Sequence, residues 1–216
     1  MNTKDKHQHF KIKIAISGAA ETDHCGDEAL DLALSLGREI VEQDAMVVTG
    51  ATTGFPLWVS RGAKEAGGTI IGISPAGSER EHVELYKLPL EYMDLVIYTG
   101  SGYSGRDILL TRSSDAVIVG CGRIGTIHEF TVAFEDKKPI GVYEGPWETD
   151  EQFKDMLEKS HRQKDNDKII FEKDPKKLVS ELIALSKQDK KEGYGVHAGG
   201  SDFYKDCEGP DCKIIL

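Results

Sequence analysis

The chain is short of cysteine, of basic charge and of long apolar runs. Four cysteines among 216 residues, Cys25, Cys121, Cys207 and Cys212, are too few and too scattered for the disulfide framework of a small secreted domain. The expectation is free thiols in a reducing cytoplasm. No stretch reaches the roughly 20 apolar residues of a membrane-spanning helix. Residues 1–9 are polar and lack the apolar segment of a signal peptide or anchor. Lys and Arg number 27 against 37 Asp and Glu, a formal charge of -10. A field of that sign repels polyanions, which disfavours extended nucleic-acid binding, yet a small phosphate can still be held by local donors. No internal repeat is visible.

What is present is length enough for one sizeable core and a regular alternation of strand-like and helix-like segments. Strands are expected at 11–17, 46–48, 69–73, 94–98, 116–119, 139–143 and 168–171. Helices are expected at about 26–43, 58–66, 106–112, from the glycine-rich turn to about 136, at 150–159 and at 175–185. In the first helix Ala29, Leu32, Ala33, Leu36, Ile40 and Val41 recur at helical spacing. The short apolar runs 94–98 and 116–119, bounded by Gly and Asp, read as buried central strands. Such alternation predicts an α/β fold: a Rossmann-like, doubly wound parallel sheet in three layers. Residues 1–10 form a polar extension, 11–186 the domain and 187–216 a tail rich in Lys, Asp and Gly that is expected to be mobile.

The most informative segment is Ser113-Ser114-Asp115-Ala116-Val117-Ile118-Val119-Gly120-Cys121-Gly122-Arg123-Ile124-Gly125-Thr126-Ile127-His128-Glu129. A buried strand runs through glycines into a helix, so the first helical N–H groups face the crevice at the carboxyl end of the sheet. Such a turn attracts anions. Glycines allow close approach, Thr126 adds a hydroxyl, and the helix dipole adds on the order of 0.3–1 kcal/mol. Glu129 follows Thr126 by three residues and so overlooks whatever the phosphate carries. Spacing alone leaves open a plain strand-to-helix connection with Glu129 as a solvated helix residue.

This segment resembles the Lonely Guy (LOG) family of phosphoribohydrolases and its wider nucleotide-binding superfamily, which includes molybdenum-cofactor carrier proteins. The family motif is Pro-Gly-Gly-x-Gly-Thr-x-x-Glu, with an Arg upstream of a Ser-Asp-Ala strand. Without a gap, Arg106 falls on the family's catalytic arginine and Glu129 on its catalytic glutamate; Gly122, Gly125 and Thr126 match the phosphate loop, which also contains Arg123 and Ile124. Ser17-Gly18-Ala19-Ala20 stands at the first nucleotide-binding turn, and Thr49-Gly50-Ala51-Thr52-Thr53-Gly54 at a second glycine-rich turn. The likeness covers about 11–186. Three departures stand out: Cys121 replaces Pro, Arg123 replaces the second Gly, and Asp107 replaces a basic residue. An Arg at 123 would crowd the phosphate or pair with it.

The resemblance implies hydrolysis of a nucleoside 5′-monophosphate to free base and ribose 5-phosphate, in a homodimer, with no metal or redox cofactor. Glycosidic cleavage passes through an oxocarbenium-like ribose, so Glu129 would stabilise the cation or activate water. Arg106 stays charged and would anchor phosphate or hydroxyl oxygens. Ser17 and Gly18 would form the crevice floor, while Thr53 reads more simply as turn chemistry. His128 lies on a different helical face and reads as structural or exposed. Asp23, His24, Cys25 and Asp27 share one loop without a partner motif, which favours capping over metal binding. Cys207 and Cys212 read as free thiols on the tail. The alternative is a non-catalytic nucleotide or cofactor carrier on the same fold, which Arg123 and Asp107 favour; a single-stranded DNA binder is disfavoured by the acidic balance.

Overall fold

The computed structural model describes residues 10–162 and 164–192. In chain order the elements are β1 (Ile12–Ser17), α1 (Ala29–Glu42), β2 (Ala45–Thr49), α2 (Phe55–Glu65), β3 (Ile70–Ser74), β4 (Leu95–Tyr98), α3 (Gly102–Ser113), β5 (Ala116–Val119), α4 (Ile124–Glu135), β6 (Ile140–Tyr143), α5 (Thr149–Lys159), β7 (Ile169–Glu172) and α6 (Pro175–Glu192). The strands form one sheet in the order β4-β3-β2-β1-β5-β6-β7, and every neighbouring pair is parallel. The expected Rossmann-like α/β architecture is therefore present. Among the described residues no helix is long and apolar enough to cross a membrane.

Alternation along the strands separates two cores. Ile12, Ile14 and Ile16 of β1 join Ala33, Leu36 and Ile40 of α1, Val59 and Ala63 of α2, and Leu178 and Leu182 of α6 on one face. Ala15 joins Val117, Val119, Leu110 of α3, Phe130 and Phe134 of α4, and Phe153 of α5 on the other. Both faces of a parallel sheet are thus covered, as its unalternating apolar strands require. The chain begins mid-sheet at β1, winds out to β4, then returns to β5 on the opposite side of β1. This reversal is the topological switch point, where the loops leaving two adjacent strands part and open a crevice.

Some boundaries differ from the sequence expectation. Helix α2 starts at Phe55 rather than 58, with Pro56 in its first turn, where a missing N–H costs nothing. Helix α3 starts at Gly102, one turn before Arg106. Strand β4 is the edge of the sheet, not a central strand, and exposes Leu95 and Ile97; an apolar run announces a strand without giving its rank in the sheet. Helix α6 runs past 186 to Glu192 because its charged end is paired rather than free: Lys190 lies 3.0 Å from Asp115 and Asp189 lies 2.8 Å from Lys168. The remainder of the expected tail, with Cys207 and Cys212, lies outside the described residues. A short π-helical turn, Glu81–Leu85, went unread; its His82 is buried between Ser74 Oγ at 2.8 Å and the Pro89 carbonyl at 2.9 Å.

Helices α1 and α2 approach through glycine. A Cβ on Gly37 would stand 2.1 Å from the Val59 carbonyl oxygen, and one on Gly62 would stand 2.1 Å from that of Leu34. Backbone blocks both positions, so no rotamer change relieves the overlap. Gly62→Ala is expected to lower stability by about 1–3 kcal/mol, the usual cost of overpacking, read as a lower urea midpoint with an unchanged slope.

Candidate functional site

Register delivers the site. Ser17 of β1 lies beside Val119 of β5, so the two following turns run together. They are joined by Gly120 N–H to the Ser17 carbonyl at 3.1 Å and Ala19 N–H to the Cys121 carbonyl at 2.7 Å. Above them lies a cavity of about 200 Å³ lined by Gly18, Gly50, Arg106, Arg123, Gly125, Thr126 and Glu129 among the residues named from the sequence. Thr52, Tyr103 and Asp107 also line it. At the start of α4 the N-cap residue Arg123 makes no side-chain capping bond, so no side chain of its own satisfies the first-turn amides.

Other named residues serve the walls rather than the cavity. Ser17 lies beneath the floor and donates its hydroxyl to Glu129 Oε2. Thr53 donates to the Ala20 carbonyl at 3.0 Å, a turn contact, and leaves the wall to Thr52. Gly54, at a φ of 69°, starts α2. The Gly122 amide is taken by Thr149 Oγ1 at 2.9 Å, and Ile124 is 79% exposed. Arg123 lines the cavity at its rim, where its guanidinium pairs with Glu21 at 2.8 Å.

At the bottom of the cavity Arg106, Asp107 and Glu129 are all buried. Arg106 Nη1 donates to Glu129 Oε1 at 3.2 Å. Its Nε lies 3.2 Å from Asp107 Oδ1 but makes no hydrogen bond there, which leaves a buried donor unsatisfied. Gly50 makes room for this guanidinium, since a Cβ at 50 would stand 1.4 Å from Nη1. His128 Nδ1 lies 2.8 Å from Asp107 Oδ2, so the half-exposed histidine steadies the second carboxylate from outside. Burial pushes the Glu129 carboxyl up to about 8; Arg106 opposes this, Asp107 reinforces it and the Ser17 hydroxyl opposes it. The net effect disfavours the charged form of Glu129, with desolvation as its main cause.

The expectation of free cysteines does not hold for Cys25 and Cys121, which are joined in a disulfide. They are 96 residues apart in sequence with Cα atoms 5.6 Å apart. They meet because the turns after β1 and β5 are neighbours, a fact of sheet order invisible in cysteine spacing. His24 accompanies them, its Nε2 3.5 Å from Cys121 Sγ and 3.3 Å from the Gly122 carbonyl oxygen.

A glycine-turn cavity at the switch point of a doubly wound sheet, closed by a buried Arg–Glu pair, defines a LOG-like Rossmann protein. Comparison with known sequences refines this. The chain belongs to the SLOG cluster4 family, whose profile matches residues 11–179. It is similar to the molybdenum cofactor binding protein from the phototrophic bacterium Rippkaea orientalis, with 26% identity, a TM-score of 0.63, and coverage of 83% of this chain and 98% of that one. It is also similar to the molybdenum cofactor carrier protein from Chlamydomonas reinhardtii, with 28% identity, a TM-score of 0.60 and coverage of 83% and 98%. An uncharacterized protein of Archaeoglobus fulgidus is 28% identical over 135 residues, 62% of this chain and 82% of that protein.

The raised Glu129 value has a consequence for stability. From about 4.5, the ordinary value, up to about 8 the folded chain keeps a proton that the unfolded chain has lost. This contribution is thus full below the ordinary value and is lost as pH rises through about 8. Glu129→Gln, which mimics the protonated acid, is expected to lose less stability than the parent between pH 5 and pH 8.5. Urea unfolding of both proteins at the two pH values checks this.

Proposed function

We propose that the cavity binds a small phosphorylated ligand of the nucleotide or molybdenum-cofactor type and that the protein is its carrier. The observation that carries this reading is the neutralised floor. Arg106 already faces two buried carboxyl groups, Asp107 and Glu129, and burial raises the pKa of Glu129. A carboxyl already paired with a guanidinium is a weakened stabiliser of a cationic ribose, and a paired guanidinium is a weakened anchor for phosphate. The anion would be held instead by the first-turn amides of α4 and by Thr126. At about 200 Å³ the cavity is smaller than the roughly 300–1,000 Å³ that encloses a whole drug-sized ligand, so it suits the phosphate and the group next to it. The likeness to two molybdenum-cofactor proteins supports the same reading.

Hydrolysis of a nucleoside monophosphate stands as the second reading because of one observation. An acid that titrates at about 8 is well matched to giving a proton to a departing base at physiological pH. A homodimer fits either reading: Leu95 and Ile97 of the edge strand β4 and Tyr103, Ile108 and Leu109 of α3 are exposed apolar side chains, and Tyr103 also lines the cavity.

Two assays on the purified protein test the choice. In the first, molybdenum cofactor released from a denatured molybdoenzyme is offered, and its retention and onward transfer to a cofactor-free enzyme are measured. In the second, a panel of nucleoside monophosphates is assayed for free base. Retention without base release is expected; base release that disappears in Glu129→Gln would establish the hydrolase instead. Gly125→Val supplies the binding control, because nothing in the protein lies within 4 Å of a Cβ at that position. The variant is expected to weaken ligand binding by roughly tenfold or more at an unchanged melting temperature.

A further inference from the structure

We infer that His24, Cys25 and Cys121 form, when the two cysteines are reduced, a binding site for a thiophilic divalent cation of the zinc class. Their three ligand atoms, one imidazole nitrogen and two sulfurs, lie within 4.8 Å of one another. They come from the two turns that sheet order brings together, His24 and Cys25 after β1 and Cys121 after β5. The cation would therefore bridge the turns in the place of the disulfide. Two thiolates and an imidazole are a soft donor set suited to Zn²⁺ and unsuited to Mg²⁺ or Ca²⁺.

The geometry admits this exchange. Tetrahedral zinc with Zn–S bonds of about 2.3 Å separates its two sulfurs by roughly 3.8 Å. The Cα atoms of Cys25 and Cys121 are 5.6 Å apart, so swinging the two side chains apart about their Cα–Cβ bonds accommodates the wider spacing without moving a strand. His24 Nε2 already lies 3.5 Å from Cys121 Sγ. Both cysteines are fully buried and His24 is exposed, so the imidazole side is the route for the ion and for a solvent molecule as fourth ligand.

The chemistry balances in two steps. A dithiol reductant gives two electrons and two protons to the Cys25–Cys121 bond, becoming a disulfide itself while two thiols form. The cation then binds both sulfurs and His24, releasing the two thiol protons to solvent. Charge also balances, because the dipositive ion offsets two buried thiolates. The site adjoins Gly122 but shares no ligand with the Arg106–Glu129 floor, so it stands apart from the functional reading above.

The test uses the full chain with Cys207→Ser and Cys212→Ser, so that cysteines outside the described residues cannot contribute. The protein is reduced with a phosphine, desalted under anaerobic conditions and titrated with Co²⁺. One equivalent is expected, with a thiolate-to-cobalt charge-transfer band, the strong ligand-field bands of a tetrahedral ion, and displacement by Zn²⁺. The oxidised chain is expected to bind none. Cys121→Ser should abolish the charge-transfer signature of the two-thiolate site. His24→Ala, at an exposed position whose loss leaves the fold intact, should weaken binding by at least the roughly tenfold that loss of even an outer metal partner costs. Absence of stoichiometric binding by the reduced chain, or binding unchanged in His24→Ala, overturns the proposal.

Discussion

The buried Arg106 cation sets the terms for the site. A guanidinium taken out of water is tolerable only where negative charge meets it, and here two acids do so from different directions. Asp107 stands next to it on α3, and Glu129 comes from α4 across the switch point. That pairing ties the two helices to the floor of one cavity and needs Gly50 to clear the space. Two acids around one cation leave more acid than cation; burial raises the pKa of Glu129, Arg106 opposes the rise and Asp107 adds to it. The departure at 107, where a basic residue is replaced by Asp, thus adds to a shift whose main cause is desolvation.

Residue identity at 106 and 129 carries over from the LOG pattern, but charge state belongs to the whole cluster. Arg123 makes the same point at the rim. An added cation at a phosphate turn reads as an extra anion ligand, yet its partner is Glu21 on the neighbouring turn.

Much of the fold was legible because the strands carry apolar runs and α1, α2 and α5 are amphipathic. Arg106, Gly18, Gly50, Gly125, Thr126 and Glu129, which the LOG resemblance picked out, line one cavity because sheet register brings their turns together. What stayed hidden depends on who neighbours whom. The edge position of β4, the meeting of Cys25 with Cys121 and the committed amide of Gly122 are all consequences of strand order or of packing by a distant helix. The end of α6 is hidden for a related reason: Lys190 reads as tail composition until its distant partner Asp115 is known. Thr52 and Thr53 are adjacent hydroxyl residues in one turn, and only the backbone path decides which of them faces inward.

Beginning the sheet at its centre has a kinetic side. Strand β1 finds β2 after a short excursion, but its other neighbour is a hundred residues further on, as the 102-residue separation of Lys13 and Asp115 shows. One edge of β1 thus has its partner only after β2 to β4 and their helices in the chain. Closing that span sacrifices chain entropy before any contact rewards it. A chain interrupted before β5 would thus have a sheet edge at β1 where the finished protein has its crevice.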